Sequence, residues 1–299
     1  MGILGAKAYD PAVAVSKATT SRLVMTAIDT TNLRITFTAP ANGKVLLRLK
    51  GQVHGATTFP RILLGVLDGA TVRGRMAPMG QQPSSLATTQ LAQEIICVIT
   101  GLTPSASYTW DAAYGVEILL ASTGLKYGGP NNASGNNAWG AFIFEIWETR
   151  NLLGAIFYDP ASAVTKSTTS LLAMTALDTT NLRITFTAPT SGNILWRIKT
   201  CQHGSTTFGQ VLLGVMEDAT VKARSAPVMG NPQTGLATAC VGLEANGVIT
   251  GLTPGNSYIY DAAYAVQVVA GAGGLKYGGP NDTTTDNAFG GIAFEIWEA

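Results

Sequence analysis

Apolar and polar residues alternate with a period of two along much of this chain, a pattern that predicts β-strands. In residues 33–38, Leu, Ile and Phe alternate with Arg and Thr, and the Ala-Pro-Ala-Asn-Gly that follows is typical of a turn. Helical periodicity is scarce, and only residues 21–29 and 170–178 are expected to form a helical turn or two. Many short strands without crossover helices indicate an antiparallel sandwich or barrel. Further strands are predicted at 44–50, 62–67, 95–100, 108–120 and 141–148.

The strand pattern occurs twice in the chain. Residues 32–40 return unchanged at 181–189, and residues 144–148 return at 294–298. A period near 150 residues is far longer than a solenoid repeat and suits one ordinary domain. We therefore predict two all-β domains, residues 1–150 and 151–299. The linker of about three residues spans roughly 10 Å at most, so the two domains should form a fixed pair.

Composition narrows the range of partners. Charged residues make up 12% of the chain and the formal net charge is +1, which argues against nucleic-acid binding through a basic surface. Soluble domains usually carry about 25% charged residues, so we expect much of the surface to be buried against other chains. No apolar run is long enough for a membrane span, and the first residues do not resemble a signal peptide. We therefore expect synthesis in a cytoplasm and no membrane partner.

The sequence contains no recognisable catalytic or metal-binding set. His54 and His203, one in each copy, are the only histidines and are expected at strand ends. Glu145 and Glu295 stand mid-strand among apolar residues and are expected to pair with Arg34 and Arg183, or with Arg48 and Arg197. The cysteines, Cys97, Cys201 and Cys240, occupy positions that the copies do not share, so no disulfide belongs to the common fold. We expect no catalytic residues, no metal and no cofactor, and therefore no enzyme.

An aromatic row on one strand of each copy has two interpretations. Such a row is ordinary core, but Tyr and Trp are also enriched where subunits meet. The candidate subunit-interface residues are Tyr108, Trp110, Tyr114, Trp147, Tyr258, Tyr260, Tyr264 and Trp297.

Three segments resemble jelly-roll domains of the tumour-necrosis-factor and C1q type. They are Phe-Thr-Ala-Pro at 37–40 followed by Gly43, Gly-Leu-Thr-Pro at 101–104, and Asn-Ala-Trp-Gly-Ala-Phe at 137–142. The resemblance implies an antiparallel jelly-roll β-sandwich in each copy and association as a homotrimer. The phrase Leu-Thr-Pro-x-x-Ser-Tyr, followed by Asp-Ala-Ala-Tyr, is similar to segments of phage virion proteins, among which such jelly rolls serve as head decoration proteins.

This resemblance implies a structural function on a virion. The chain would be a phage capsid decoration protein that binds the major capsid protein on the outer surface and stabilises the joints between capsomers. The alternative is a receptor- or glycan-binding tail or spike protein. The N-terminal residues 1–21 are expected to act as a docking arm. The candidate capsid-contact loop contains Lys126, Tyr127, Asn131, Lys276, Tyr277 and Asn281.

Overall fold

The computed structural model is built from β-strands and describes most of the chain. The described residues are 2–17, 24–54, 62–79, 90–116, 124–130, 138–167, 173–203, 211–227, 240–266, 274–281 and 288–299. They contain no helix, and accordingly none that is long and apolar enough to cross a membrane.

The first domain consists of two antiparallel sheets packed face to face. One contains β1 (Ile3–Tyr9), β2 (Val15–Lys17), β5 (Val45–His54), β8 (Gln90–Ile99), β10 (Gly124–Tyr127) and β11 (Phe142–Glu148). The other contains β3 (Thr26–Ala27), β4 (Arg34–Thr38), β6 (Ile62–Asp68), β7 (Thr71–Met76) and β9 (Ser107–Val116). In the first sheet β5 pairs with β8 on one side and with β11 and β10 on the other. In the second sheet β9 lies between β6 and the pair β4 and β3.

The second domain repeats this arrangement strand for strand. Its first sheet contains β12 (Leu152–Tyr158), β13 (Val164–Lys166), β16 (Ile194–His203), β19 (Cys240–Ile249), β21 (Gly274–Tyr277) and β22 (Ile292–Glu298). Its second sheet contains β14 (Thr175–Ala176), β15 (Arg183–Thr187), β17 (Val211–Glu217), β18 (Thr220–Ser225) and β20 (Ser257–Val266). The prediction of two antiparallel jelly-roll β-sandwiches is therefore confirmed.

The period-two pattern places the core between the two sheets of each domain. On β5, Val45, Leu47 and Leu49 are completely buried, while the intervening residues are only partly covered. Phe142 and Phe144 on β11 face the same interior. Burying one such side chain stabilises the fold by about 1.5–3 kcal/mol, so alternation over several strands suffices to hold the sheets together.

Two local expectations were wrong. Residues 26–27 and 175–176 form the short strands β3 and β14 where a helical turn was expected. Residues 3–9, expected to act as a docking arm, form β1, which pairs with β11 along its length. The backbone groups of β1 are therefore occupied inside its own sheet.

The connection between the domains is short and held by hydrogen bonds. β11 ends at Glu148 and β12 begins at Leu152. The buried Thr149 Oγ1 accepts a hydrogen bond from Asn42 Nδ2 at 2.9 Å, and Asn151 O accepts one from the backbone of Glu298 at 2.8 Å. Each domain thus holds one end of the connection.

Candidate interaction site between the two domains

The aromatic row proposed for a subunit interface lies in the core of each domain. Trp110 and Tyr260 are completely buried, and Tyr114 and Tyr264 are nearly so. Tyr108 and Tyr258 are partly buried, stack on Phe37 and Phe186, and accept a backbone hydrogen bond from Thr103 and Thr253. This corrects the interface interpretation of Trp110, Tyr114, Tyr260 and Tyr264, because side chains covered by their own strands cannot contact another chain. For the partly exposed Tyr108 and Tyr258 the interface interpretation stays a prediction.

The two remaining candidates, Trp147 and Trp297, lie in different surroundings. They occupy the same position of the repeat, on β11 and β22. Trp297 is 6% exposed, whereas Trp147 is only partly buried. The difference arises because the first domain covers the sheet that carries Trp297.

The residues of the proposed capsid-contact loop also lie in different surroundings. Tyr127 and Tyr277 belong to the cores and are corrected as contact residues. Lys126 lies over the Trp139 ring at 4.7 Å, and Lys276 lies over Phe289 at 5.0 Å. Asn131 lies outside the described residues. Asn281 Oδ1 accepts a hydrogen bond from the backbone of Met25, in the other domain, at 3.3 Å.

The contact between the domains joins an edge to a face. The first domain contributes its edge strands β7 and β8, and the second contributes the outer face of β12, β16 and β22 together with Gly242 of β19. A hydrophobic cluster spans the two domains beside these strands. Its buried members are Met25, Leu63, Leu67, Ala77 and Ala113 of the first domain with Cys201, Ala288 and Phe289 of the second. We call this contact the edge-to-face interface.

Arg75 on β7 is the main polar residue of the edge-to-face interface. Its side chain is 3% exposed and forms an ion pair with Asp159, with Nε 2.9 Å from Oδ2. The guanidinium also donates to Pro280 O at 3.1 Å and to Gly279 O. The Arg75 carbonyl accepts a hydrogen bond from Gly291 N at 2.7 Å. All these partners belong to the second domain, so the buried charge is compensated entirely across the interface.

Glu295 on β22 forms a second polar centre and is completely buried. Oε2 accepts hydrogen bonds from Arg197 Nε at 2.7 Å and from Trp297 Nε1 at 3.0 Å. Oε1 accepts a hydrogen bond at 2.9 Å from Val98 N, on β8 of the first domain. The carboxylate therefore binds a backbone N–H of the neighbouring edge strand, which would otherwise lack a partner.

Lys199 adds a third polar link. The side chain is buried, its ammonium donates to Ile96 O of the first domain, and it lies 3.1 Å from Glu244 Oε2. Ile96 and Val98 are two residues apart on β8, so their backbone groups face the same side of the strand. Lys199 and Glu295 therefore bind successive backbone groups along one strand edge.

The electrostatics reflect the burial of these charges. Burial raises the pKa of Asp159 above its ordinary value, against the lowering effect of the Arg75 hydrogen bond and charge. Burial lowers the pKa of Lys199, and the charge of Arg197 lowers it further, while Glu295 and Glu244 oppose the shift. Both pKa shifts have the direction that desolvation causes, so the charged partners of Asp159 and Lys199 offset desolvation only in part.

The described residues offer structural chemistry and no catalytic arrangement. No group of three or more His, Cys, Asp or Glu side chains among them could hold a metal. His54 and His203 end β5 and β16, as expected for strand-end histidines. Cys201 is disulfide-bonded, whereas Cys97 is a free thiol whose pKa burial raises to about 12. A cleft of about 370 Å³ lies at the interface, beside Arg75 and Asp159.

Sequence reasoning anticipated part of this site. It expected Glu295 to pair with Arg183 or Arg197, and Arg197 is the partner. Arg183 pairs with Asp261 instead. It missed Arg75, Asp159 and Lys199, since Arg224, Asp10 and Lys50 stand at the same positions of the other copy and these residue types do not distinguish the buried copy from the exposed one.

The comparisons with known proteins show similarity only at the level of structure. No family model and no curated protein matches the sequence. A peptide-N(4)-(N-acetyl-β-D-glucosaminyl)asparagine amidase shares 12% identity over 99% of this chain and 96% of its own, with a TM-score of 0.38. PNGase F, a glycosylasparaginase from Flavobacterium meningosepticum, shares 13% over 96% of each chain, also with a TM-score of 0.38. The VP2 subviral particle of infectious bursal disease virus shares 9% over 99% of this chain and 79% of its own, with a TM-score of 0.27.

These findings correct the expected function. The structures with the higher scores are glycosylasparagine amidases, and the viral structure scores lower. The expectation of a phage capsid decoration protein, with a tail or spike protein as its alternative, was therefore wrong. The expectation that the chain is not an enzyme stays a prediction, because similarity of this degree carries no inference about activity.

Proposed function

We propose that this chain is a non-catalytic structural protein whose two jelly-roll domains serve as one building block. The observation that carries the proposal is the buried Arg75 guanidinium, whose four hydrogen bonds all end on the second domain. A charge removed from water stabilises a structure only while its partners stay in place. Arg75 therefore favours one relative arrangement of the domains.

The composition supports the same proposal. With only 12% charged residues, the chain carries about half the usual proportion. The edge-to-face interface accounts for part of this difference, since it buries apolar surface that an isolated domain would expose. A hydrophobic cluster shared by the two domains is what a permanent contact requires.

Calorimetry of an Arg75 variant tests the building-block part of the proposal. We expect the wild-type chain to unfold in one cooperative transition and Arg75→Gln to separate the unfolding of the two domains, because Asp159 is left buried without its cation. The matched control is Arg73→Gln, which removes a partly exposed guanidinium on β7 from its pair with the partly exposed Asp68 on β6 of the same domain. Two independent transitions in the wild type, or equal behaviour of the two variants, would contradict the proposal.

An activity assay tests the non-catalytic part. The chain is incubated with an N-glycosylated peptide, the substrate class in the name of the amidase described above, and release of glycan is followed by mass spectrometry. We expect no release above that of a heat-denatured sample. Release of glycan by the native chain would show that it is an amidase and would contradict the proposal.

A further inference from the structure

Each domain has one surface in the edge-to-face interface and one equivalent surface left open. The open edge is formed by β18 and β19 of the second domain, which correspond to β7 and β8. The open face is formed by β1, β5 and β11 of the first domain, which correspond to β12, β16 and β22. Val248 on the open edge is 56% exposed, whereas its equivalent Val98 is completely buried. Ile3 on the open face is 52% exposed.

We propose that the open edge of one copy of this chain binds the open face of a second copy, repeating the edge-to-face interface between molecules. The occupant is another copy because the two open surfaces are the repeat equivalents of two surfaces that already fit each other. An exposed sheet edge also presents unpaired backbone groups that can bind another chain. The proposal goes beyond a structural role of the single chain.

The charges on the open surfaces are complementary. Arg224 is the equivalent of Arg75 and is exposed on β18, and Asp10 is the equivalent of Asp159 and is exposed after β1. In a repeated interface these two residues of different copies would form the ion pair. Gly129 and Pro130 are the repeat equivalents of Gly279 and Pro280 and would supply the carbonyl acceptors for Arg224.

The Glu145 network on the open face is arranged to accept the same partner. Arg48 Nη1, at 3.3 Å, and Trp147 Nε1, at 3.1 Å, both donate to Oε2 of Glu145. In the covered copy, Oε1 of Glu295 accepts the backbone N–H of Val98. Oε1 of Glu145 is therefore the expected acceptor for the Val248 N–H of a second copy, and Lys50 would reach Asn246 O as Lys199 reaches Ile96 O.

The contact between copies is expected to be looser than the contact within the chain. Ala92 stands where the second domain has Gly242, and a Cβ atom at Gly242 would lie 2.8 Å from Ala77 O of the first domain. This extra methyl group at a close backbone approach should weaken the contact, so we expect association to depend on concentration.

The contact joins two different surfaces, and this determines what it can build. A contact between unlike surfaces adds copies in one direction and ends only when a ring closes. The expected products are therefore closed rings, of which a homotrimer with six domains is one, or open filaments. A contact that pairs the same surface on both chains would end at two copies.

Sedimentation velocity across the micromolar range tests the proposal. We expect the wild-type chain to associate and Arg224→Gln to raise the dissociation constant by on the order of 100-fold, because Asp10 of the other copy would be buried without its cation. The matched control Arg183→Gln removes a guanidinium from the far edge of the same domain and should leave association unchanged. A wild-type chain that stays monomeric, or equal association of the two variants, overturns the proposal.

A pair of single-site variants tests the direction of the contact. Arg224→Asp impairs only the open edge, because it places a like charge opposite Asp10, and Asp10→Ala impairs only the open face, because it leaves Arg224 of the other copy without its anion. We expect each variant alone to remain monomeric. Their equimolar mixture should stop at one heterodimer of twice the 31.1 kDa chain mass, since one good edge and one good face remain. Failure of the mixture to pair, with both variants folded by circular dichroism, or a dimer formed by either variant alone, contradicts the proposal.

Discussion

Glu145 and Glu295 are one residue of the repeat in two different surroundings. Glu145 shares Arg48 with Glu94, whose Oε1 lies 2.5 Å from Arg48 Nε. Glu295 binds Arg197 through two nitrogens and adds the Val98 N–H of the other domain. On the covered face Arg197 therefore binds one carboxylate, whereas on the open face Arg48 is shared between two.

The consequence can be measured in the stability of two matched variants. Glu295→Gln removes a fully buried negative charge from Arg197, and we expect a loss of about 3–5 kcal/mol in the free energy of unfolding. Glu145→Gln changes a partly exposed network and should cost under about 1 kcal/mol. Urea unfolding in dilute solution, where copies stay apart, gives both values. Equal losses would show that the interface does not increase the contribution of the Glu295 carboxylate to stability.

At the scale of single residues, the sequence predicted that the mid-strand carboxylates need cations, but it did not predict which arginine binds each carboxylate. A carboxylate in the middle of an apolar strand needs a cation, and Arg48 and Arg197 stand on the strands that pair with β11 and β22. Arg34 and Arg183 were equally plausible from spacing alone. They bind Asp111 and Asp261, directly across from them in the register of β9 and β20, and register cannot be read from one strand.

Strands with one buried face were predicted from the sequence, whereas strands without a regular buried face, such as β1, were missed. On β4 exposed and buried residues alternate at every position. On β1 most side chains are exposed or partly exposed, so the strand carries no period-two signal. The strand forms because its backbone pairs with β11, a cause that lies in another part of the chain.

The turn that follows β14 offers a test of its own. Burial raises the pKa of Asp178, but hydrogen bonds from the Asn181 side chain and from the backbones of Asn181 and Thr180 bring it below the ordinary 3.8. A carboxylate with a lowered pKa in the folded state stabilises the fold above pH 3.8, and this contribution is lost as the pH falls through the folded-state pKa. Asn at this position cannot titrate.

We therefore expect the stability difference between the wild type and Asp178→Asn to be largest near neutral pH and to shrink as the pH falls below about 4. Urea unfolding at a series of pH values gives this difference. Asp218→Asn is the control, because Asp218 is an exposed carboxylate in the turn between β17 and β18, with φ at 53°, which Asn tolerates. A stability difference that does not change with pH would show that the ionised carboxylate of Asp178 does not stabilise this turn.

At the scale of the whole molecule, the duplication predicts two domains but not how they meet. Both copies carry the edge residues and the face residues, so the sequence fits either domain in either role. The three-residue connection between Glu148 and Leu152 limits the choice, and positions at which the copies differ complete it. Gly242 is such a position, since the first copy has Ala92 there.

Gly242→Ala tests whether this difference determines the arrangement. The added Cβ would meet the backbone oxygens of Pro78 and Ala77 in the other domain, and backbone atoms cannot move aside as a flexible side chain can. We expect the interface to loosen at a cost of about 2 kcal/mol, measured by urea unfolding. The reverse change, Ala92→Gly, lies on the open surface and should cost only about 0.5–1 kcal/mol in backbone entropy. If Gly242→Ala were the milder of the two, close backbone approach would not be what fixes the two domains in their order.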